Sequence, residues 1–423
     1  MSQAIHFERV TVADRGGAYD GEVVSLTLDE DGVIQVGGEA PSGARVIAVD
    51  GLHVGPGWVD FGAGVGEPGH EQRETVRSLQ RAAAVGGFTH VFVQPLTEPA
   101  VDDAGAVSAL ASRAAGHPVS LSVIGALSRG NNGEHLAEYG DLAAAGVRFV
   151  GDGLGSIGDA KLVQLAIAYA DPLGLRVCLQ PGERRLSAGG QVHEGPVSTA
   201  LGLRGLPAIA ERLGVQRELE LQAYRGGRIL FYAPSLATSL DTILTARREG
   251  ADVLFGVSAL HLLLCDEDVE GYTPHTKVLP PLRPAADRER LRQAIAEGQA
   301  DLLISNHRPL TTEDVRVEFT HAEFGAATLE NVYGLATAAT GDGLLVADYL
   351  GRRNRLTLGL PPAHLEAGAH NELTFFQPDR TYVAPARTGA SLGANPAAVG
   401  KELRGMVFGI CTGGVFLQRN AEA

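Results

Sequence analysis

The stretch from Pro56 to Gly69, PGWVDFGAGVGEPG, decides the fold of this chain. Its first half, GWVDF, has the apolar character of a short buried strand. The glycines that follow it, closed by the run Glu67, Pro68 and Gly69, predict a turn. The segment therefore predicts one buried strand that opens at its carboxyl end into a glycine-rich loop.

The sequence that follows this segment alternates between strand and helix patterns. Apolar strands are predicted in GWVDF, THVFVQP, VSLSVIGA, VRFVGDG, LRVCLQP, RILFYAP, DVLFGVS and DLLISNHRP. Helical spacing is predicted between them, first in HEQRETVRSLQRAAAVG, which Gly86 and Gly87 end. About eight such units in about 290 residues predict an α/β fold, a (β/α)8 barrel over residues 56–344. A doubly wound open sheet is the alternative, but it would call for a glycine fingerprint that does not follow the first strand.

Both ends of the chain have a different pattern, one of short strands. Residues 1–55 alternate apolar and polar residues in IHFERVTV, VVSLTL, GVIQV and ARVIAV. A similar pattern returns after about residue 345 in LTFFQPD, TYVA and GMVFGICTGGVFL. Each end is therefore predicted to be rich in β-strands.

Composition excludes several classes of protein. Hydrophobic residues make up 44% of the 423 residues and charged ones 20%, as in a folded globular chain. A net charge of −15 without any basic run argues against nucleic acid or an anionic membrane as partner. Cys178, Cys265 and Cys411 are too dispersed for a disulfide framework or a thiolate zinc site. MSQAIHFERVTV lacks a signal-peptide pattern, and no apolar run approaches about 18 residues, so we expect a cytoplasmic protein.

The segment Pro56 to Gly69 resembles the first barrel strand of the dihydroorotases, cyclic amidohydrolases of pyrimidine synthesis, where the frame is P-G-x-x-D-x-H-x-H-x-R-E-P-G. The resemblance continues through GPVSTALGLRGLPAIAERLGVQRELEL, KVLPPLRPAADRERL and SLGANP, and so covers nearly the whole chain. It implies a barrel of the amidohydrolase kind. It also implies that residues 1–55 and 345–423 together form a small β-sandwich domain.

This chain keeps the spacing of the family motif but not the residues that bind zinc in the family. The two zinc-binding histidines of the family fall on Gly62 and Gly64, and two further metal positions fall on Gln180 and Ala233. The aspartate that binds metal and acts as general base falls on Asn306. Glycine and alanine side chains offer no lone pair, and an amide cannot take a proton near neutral pH. The resemblance therefore implies that the zinc site and the base have been lost.

Substrate positions have changed as well. The arginine and the two asparagines that contact substrate in the family fall on Gly66, Leu96 and Leu279. Among the candidate metal and substrate positions and their neighbours, the polar residues Asp152, His261 and His307 are retained, and Asp152 is at a metal position. Asp152 is interpreted either as a metal ligand or as a turn aspartate beside a glycine. Each histidine, taken singly, is interpreted as a structural hydrogen-bonding group.

Three functional hypotheses follow. In the first, the chain is a dihydroorotase-like protein without activity and without a cofactor. It is then retained for a structural or regulatory role, as a homo-oligomer such as a dimer. Inactive chains that resemble this one associate with aspartate carbamoyltransferase, which is therefore the partner implied by the resemblance.

The second hypothesis is an active zinc-dependent dihydroorotase or related cyclic amidohydrolase with a rebuilt site. Its ligands would come from Glu67, Asp152, Gln180, His261, Asn306 and His307. The third hypothesis is a sensor that binds a small acidic metabolite in the barrel mouth. Its positive groups would come from Arg129, Arg184, Arg185 and Arg308.

Overall fold

The computed structural model describes residues 3–419, so residues 1, 2 and 420–423 of the two predicted β-rich ends lie outside the described residues. The described residues form these strands: β1 Ile5–Val12, β2 Val23–Leu28, β3 Ile34–Val36, β4 Arg45–Ile47, β5 His53–Pro56, β6 Trp58–Ala63, β7 Phe88–Val93, β8 Ser120–Val123, β9 Phe149–Val150, β10 Arg176–Leu179, β11 Val192–His193, β12 Gly205–Leu206, β13 Ile229–Phe231, β14 Val253–Ser258, β15 Leu302–Ile304, β16 Leu373–Val383, β17 Glu402–Thr412 and β18 Val415–Gln418.

The α-helices are α1 Val76–Val85, α2 Ala104–Ala114, α3 Tyr139–Ala144, α4 Ala160–Ala170, α5 Arg184–Ser187, α6 Pro196–Leu201, α7 Ala208–Arg225, α8 Ala237–Arg248, α9 Ala259–Leu263, α10 Ala285–Ala296, α11 Thr312–Val315, α12 Val332–Thr340, α13 Gly343–Asp348 and α14 Asn354–Thr357. A π-helical turn, Tyr349–Arg353, joins the last two. None of the helices formed by residues 3–419 combines the length and the apolar character that a membrane span requires.

Eight parallel strands form the predicted barrel. They lie in two hydrogen-bonded runs, β6-β7-β8 and β9-β10-β13-β14-β15. A parallel bridge between Gly125 and Val150 joins β8 to β9. At the other seam, the Gly64 N–H donates to the His307 carbonyl at 2.7 Å. The (β/α)8 fold class predicted from the sequence is confirmed.

Asn354 holds the first and last barrel strands together on the side of α14. Its amide nitrogen donates to the carbonyls of Val59 and Leu303, both at 2.8 Å, and its oxygen accepts from the Leu303 N–H at 3.1 Å. The segment that carries it, residues 343–357, is helical, so the β-strands of the carboxyl-terminal part resume only at Leu373. The domain boundary at residues 344 and 345 stays a prediction.

The two chain ends meet in one sheet with the order β18-β17-β16-β5-β1-β2-β3, and β4 also pairs with β1. This is the small β-sandwich domain. Its core contains stacked rings of Phe7 and Phe375, 4.4 Å apart, with Phe416 edge-on to both. Strand β5 hydrogen bonds to β16 and runs directly into β6, so the domain is continuous with the first barrel strand.

Successive side chains along a barrel strand point to opposite faces, so each strand contributes to one apolar core inside the barrel and another outside it. Trp58 faces outward and packs 4.7 Å from Tyr333, whereas Val59 and Phe61 belong to the cluster inside the barrel. The interior cluster is formed by Val59, Phe61, Phe92, Ile124, Phe149, Cys178, Leu230, Tyr232, Ala233, Leu302, Ile304 and Leu358. It fills the barrel with apolar and aromatic side chains up to the carboxyl ends of the strands.

Helix α1 begins later than the sequence pattern suggests. A helix is predicted from His70, but the structure begins it at Val76. Thr75 caps it by accepting a hydrogen bond from the Ser78 N–H at 3.0 Å, and the Glu67 carboxylate accepts from the Val76 N–H at 2.9 Å. The residues before Thr75 are therefore part of the loop that follows β6, next to the barrel mouth.

Candidate functional site

The carboxyl ends of the barrel strands are where a (β/α)8 protein places its active site. In this chain Tyr232, directly after β13, lies at that end of the barrel and belongs to the interior cluster. Its hydroxyl donates to the Gly62 carbonyl at 3.0 Å, and the Gln94 side chain hydrogen bonds to the same hydroxyl. The side chain is 2% exposed, and burial raises the pKa of its hydroxyl well above its usual value. Tyr232 is therefore a neutral plug inside the mouth.

Gly62 lies against this plug. Its φ of +90° is in the region that favours glycine. A Cβ atom built on Gly62 would lie 2.8 Å from both Gln94 Nε2 and the Tyr232 hydroxyl, and closer still to the tyrosine ring. A side chain at position 62 thus has no space unless Tyr232 moves.

Gly64 and Gly66 are also enclosed by backbone. A Cβ atom on Gly64 would lie 3.0 Å from the His307 carbonyl oxygen, and one on Gly66 would lie 2.8 Å from the carbonyl carbon of His70. The Gly66 N–H donates to the Glu74 carbonyl at 2.9 Å. Side chains at positions 64 and 66 would therefore meet the backbone of His307 and His70.

Two other degenerate positions keep an unusual backbone. Ala233 and Asn306 both have a φ of 50°, which is uncommon for residues other than glycine. The Ala233 methyl is buried, and the Asn306 amide nitrogen donates to the Leu279 carbonyl at 3.0 Å. Such strain is usually found at functional sites. Here it persists at two strand ends whose side chains have no catalytic group.

The retained aspartate has a structural partner for each oxygen. Asp152 accepts from the Ser128 N–H at 2.8 Å with one oxygen and from the Ser128 hydroxyl with the other. Burial raises the pKa of this carboxyl, and the bonds from Ser128 only partly offset that effect. Asp152 therefore holds the loop after β8 in place.

The two retained histidines are likewise engaged. His307 Nδ1 accepts from the N–H groups of Thr328 and Leu329 at 3.1 and 3.3 Å, and its Nε2 lies 3.5 Å from a Glu74 carboxylate oxygen. His261 Nε2 pairs with the Pro280 carbonyl at 2.9 Å, and burial lowers its pKa to about 4. Both rings connect backbone segments, and they do not converge on a common centre with Asp152.

The remaining predicted positions are dispersed. Gln180 is 9% exposed and lines a recess of about 110 Å³ beside the mouth. Leu96 packs over Gly153, and Leu279 lines the same recess as Gln180. Besides capping α1, the Glu67 carboxylate lies 3.4 Å from the guanidinium of Arg113.

These donors do not fit zinc. Catalytic zinc normally has about three protein ligands, chiefly histidine, cysteine and carboxylate. Within residues 3–419, no three or more such side chains are placed so that they could share a metal ion. Of the six family metal positions, five offer two glycines, a glutamine, an alanine and an asparagine, and only the sixth, Asp152, keeps a metal-binding side chain. We therefore derive no catalytic step through a metal.

An open cleft of about 650 Å³ lies to one side of the plugged mouth. It is bounded by the loops that follow β8, β9 and β10, and Arg184 lies on its wall. The other three arginines predicted for a sensor lie elsewhere. Arg129 is paired with Glu138, Arg308 lies 3.6 Å from Glu323, and Arg185 is exposed. The structure does not bring the four together.

Sequence reasoning missed a buried polar network next to the recess. Arg283 donates to Glu211 at 3.0 Å, to His193 Nδ1 at 2.9 Å and to the Ser235 hydroxyl at 2.9 Å. Glu211 also accepts from the Ser235 and Leu236 N–H groups. Burial works to raise the pKa of Glu211, but Arg283 and these donors outweigh it, so the pKa is below its usual value. Glu211 and Arg283 both lie in segments that resemble the family, but their residue types alone do not indicate that they pair.

Tyr232 was also missed, although one signal could have indicated it. It directly precedes Ala233, a degenerate ligand position, at the end of a predicted strand. A tyrosine at that point, beside positions reduced to glycine, is a side chain large enough to fill the space that they leave.

Arg217 in α7 contacts the loop that forms one wall of the cleft and lies beside the buried carboxyl group of Glu218. Arg217 donates to the Ile157 carbonyl at 2.8 Å and to the Glu218 carboxylate at 2.9 Å. Burial raises the pKa of Glu218 from 4.5 to about 8, and Arg217 only partly offsets it. The folded chain therefore holds a proton that the unfolded chain releases at lower pH.

The stability contributed by that proton is present in full below about pH 4.5 and is lost as pH rises through about 8. We expect Glu218→Gln to remove this dependence, so that wild type loses on the order of a few kcal/mol relative to the variant between these pH values. Urea unfolding at several pH values measures the free energy of unfolding of both proteins. Glu220→Gln, at an exposed position on the same helix, is the control. Parallel pH profiles for wild type and Glu218→Gln would contradict the expectation.

Comparison with known proteins gives a consistent result. A family model described as "Dihydro-orotase-like" matches residues 51–232. The chain is 39% identical over 380 residues to a dihydroorotase of Pelotomaculum thermopropionicum, with 88% of each chain covered. It is 34% identical over 434 aligned positions to a dihydroorotase of Anaeromyxobacter dehalogenans, with 100% of each covered.

Solved structures are similar in fold. An L-hydantoinase (dihydropyrimidinase) from Arthrobacter aurescens superposes with a TM-score of 0.82 at 19% identity, covering 100% of this chain and 97% of that one. A D-hydantoinase (dihydropyrimidinase) from Thermus sp. gives 0.80 at 20% identity, covering 98% and 95%. At these identities the likeness shows the barrel with its β-sandwich domain and nothing about the reaction.

Proposed function

This chain belongs to the dihydroorotase family, and from that premise we propose that it is a member of the pyrimidine pathway without dihydroorotase activity. One observation carries the proposal: Tyr232 fills the space beside Gly62 in which the metal-binding side chains of the family would stand. The replacement of the general base by Asn306 supports it independently. Its role is then structural or regulatory, in the cytoplasm, and no cofactor is needed.

The test combines metal content with turnover. Protein purified without chelators is expected to contain less than about a tenth of a zinc ion per chain, because a catalytic zinc site needs about three ligands. Dihydroorotase assays in both directions are expected to show no rate above buffer. Stoichiometric zinc together with turnover would instead support the alternative, an active cyclic amidohydrolase with a rebuilt site.

The partner that we propose is aspartate carbamoyltransferase. This follows from the family resemblance, in which inactive chains associate with that enzyme. The two proteins are expected to co-purify under gentle conditions, with this chain itself a dimer. If the two proteins, mixed at micromolar concentrations, elute separately in size-exclusion chromatography, this partner is ruled out.

A metabolite sensor is the second candidate, favoured by the cleft of about 650 Å³ beside the plugged mouth and by Arg184 on its wall. A cleft of this size suits a small molecule. Thermal unfolding with ureidosuccinate, dihydroorotate and orotate tests it, because a ligand that binds only the folded state raises the unfolding temperature. An unchanged unfolding temperature at millimolar concentrations of these ligands would rule out a sensor function for them.

A further inference from the structure

Four arginines lie close together beside the barrel mouth, although the sequence contains no basic run. Arg184 and Arg185 lie in α5, Arg204 directly precedes β12, and Arg212 is in α7. All four are exposed. Within residues 3–419, none of their side chains makes a hydrogen bond or an ion pair. In a chain of net charge −15, such a group of unpaired arginines is unusual.

Tertiary contacts place them on one surface. The Glu183 N–H, just before α5, donates to the Ala210 carbonyl in the first turn of α7 at 2.9 Å. The Gln191 N–H donates to the Arg204 carbonyl at 2.8 Å, which joins the segment after α5 to the segment before β12. Helices α5 and α7 are therefore side by side, and their exposed arginines share one face.

The same face carries exposed aliphatic side chains. Leu186, Ile209 and Leu213 are 44%, 45% and 46% exposed. Ile209 and Leu213 lie one turn apart on the outer side of α7, and Leu186 is in α5. We call these three residues and the four arginines the α5–α7 patch. It combines exposed aliphatic side chains with unpaired arginines.

Three acids lie near the patch. The Glu183 carboxylate accepts from the Leu186 N–H at 2.8 Å, and the Asp159 carboxylate accepts from the Lys161 N–H at 2.7 Å, so both serve as helix caps. Glu194 is an exposed acid beside the patch. Four arginines beside three carboxylates leave this surface slightly positive, and none of the four arginine side chains is paired with a carboxylate.

We propose that the α5–α7 patch is a docking surface for a partner protein whose contact surface carries carboxylates around an apolar centre. Charge complementarity selects this occupant, because the rest of this acidic chain repels an acidic partner and only an unpaired cationic surface attracts it. Arginine is also enriched where proteins meet, since its planar fork pairs with carboxylates while its stem covers apolar area. The inference rests on the proposed assembly role and gives that role a surface.

The experiment measures binding of aspartate carbamoyltransferase from the same organism by titration calorimetry. The patch variant is Arg185→Glu with Arg212→Glu, and the control is Arg9→Glu with Arg387→Glu, two exposed arginines elsewhere. Both pairs change the net charge equally, so long-range repulsion is matched. We expect the patch pair to weaken binding at least tenfold and the control pair less than about threefold. Wild-type affinity is expected to fall as salt rises from about 50 to about 300 mM.

The outcomes separate the surface from the partner. If wild type binds the transferase and the patch variant binds it equally well, the patch is overturned and the proposed function stands. If wild type does not bind the transferase, that partner is overturned, and a labelled peptide of alternating glutamate and leucine becomes the probe. If the peptide binds wild type and not the patch variant, the α5–α7 patch is supported as the docking surface. If the peptide binds neither protein, or binds both equally, the patch is overturned.

Wild-type self-association abolished by the patch pair would make a second copy the occupant, contrary to the proposal. Equal urea midpoints for all variants show that folding is intact.

Discussion

Replacing Gly62 and Gly64 together by histidine, which restores the family's H-x-H pair, is expected to give a less stable protein that gains neither zinc nor turnover. Position 62 has a φ of +90°, and its Cβ would lie 2.8 Å from the Tyr232 hydroxyl. Backbone strain of about 1 to 3 kcal/mol and overpacking of similar size add, so we expect a loss of about 2 to 6 kcal/mol in the free energy of unfolding. Urea unfolding, metal analysis and the dihydroorotase assay measure the three effects.

Gly116→His is the matched control. Gly116 has a φ of +79°, but nothing lies within 4 Å of its Cβ position. It therefore tests backbone strain alone, and we expect a loss of about 1 to 2 kcal/mol. If the double variant binds one zinc per chain at wild-type stability, Tyr232 does not obstruct the site and the central argument for lost catalysis fails.

Removing the carboxylate of Glu211 is expected to cause the largest loss of stability among single substitutions in the mouth. Glu211→Ala leaves the Arg283 guanidinium, which is only 5% exposed, without its counter-ion. It also removes the acceptor for the Ser235 and Leu236 N–H groups. Breaking a buried pair on one side costs about 3 to 5 kcal/mol, and urea unfolding at neutral pH measures it.

The exposed pair Arg129–Glu138 provides the comparison, since its side chains are 60% and 59% exposed. Glu138→Ala is expected to change stability by about 1 kcal/mol at most. A double variant, Glu211→Leu with Arg283→Met, removes both buried charges and is expected to recover part of the loss. A loss from Glu211→Ala no larger than that from Glu138→Ala would show that water reaches Arg283 and compensates its charge.

Local sequence patterns predicted the fold because strand and helix periodicities depend on near neighbours. The eight barrel strands and the helices between them are found close to their predicted segments. The main difference is at α1, which begins at Val76 because Thr75 and Glu67 cap it there. The Thr75 cap is a local contact with Ser78, whereas the Glu67 contact depends on how the loop folds, and helical periodicity records neither of them.

The sequence by itself determined which chemical groups are missing, because Gly62, Gly64 and Asn306 lie in a frame whose spacing is unchanged. It could not determine what fills the space that they leave. Tyr232 and Gly62 meet across 170 residues, and the four arginines of the α5–α7 patch come from three segments that tertiary hydrogen bonds bring together. Such contacts depend on how strands and helices are placed relative to one another. The residue types at the site were therefore fully visible in the sequence, whereas the plug, the buried Glu211–Arg283 pair and the cationic surface were decided by the tertiary structure.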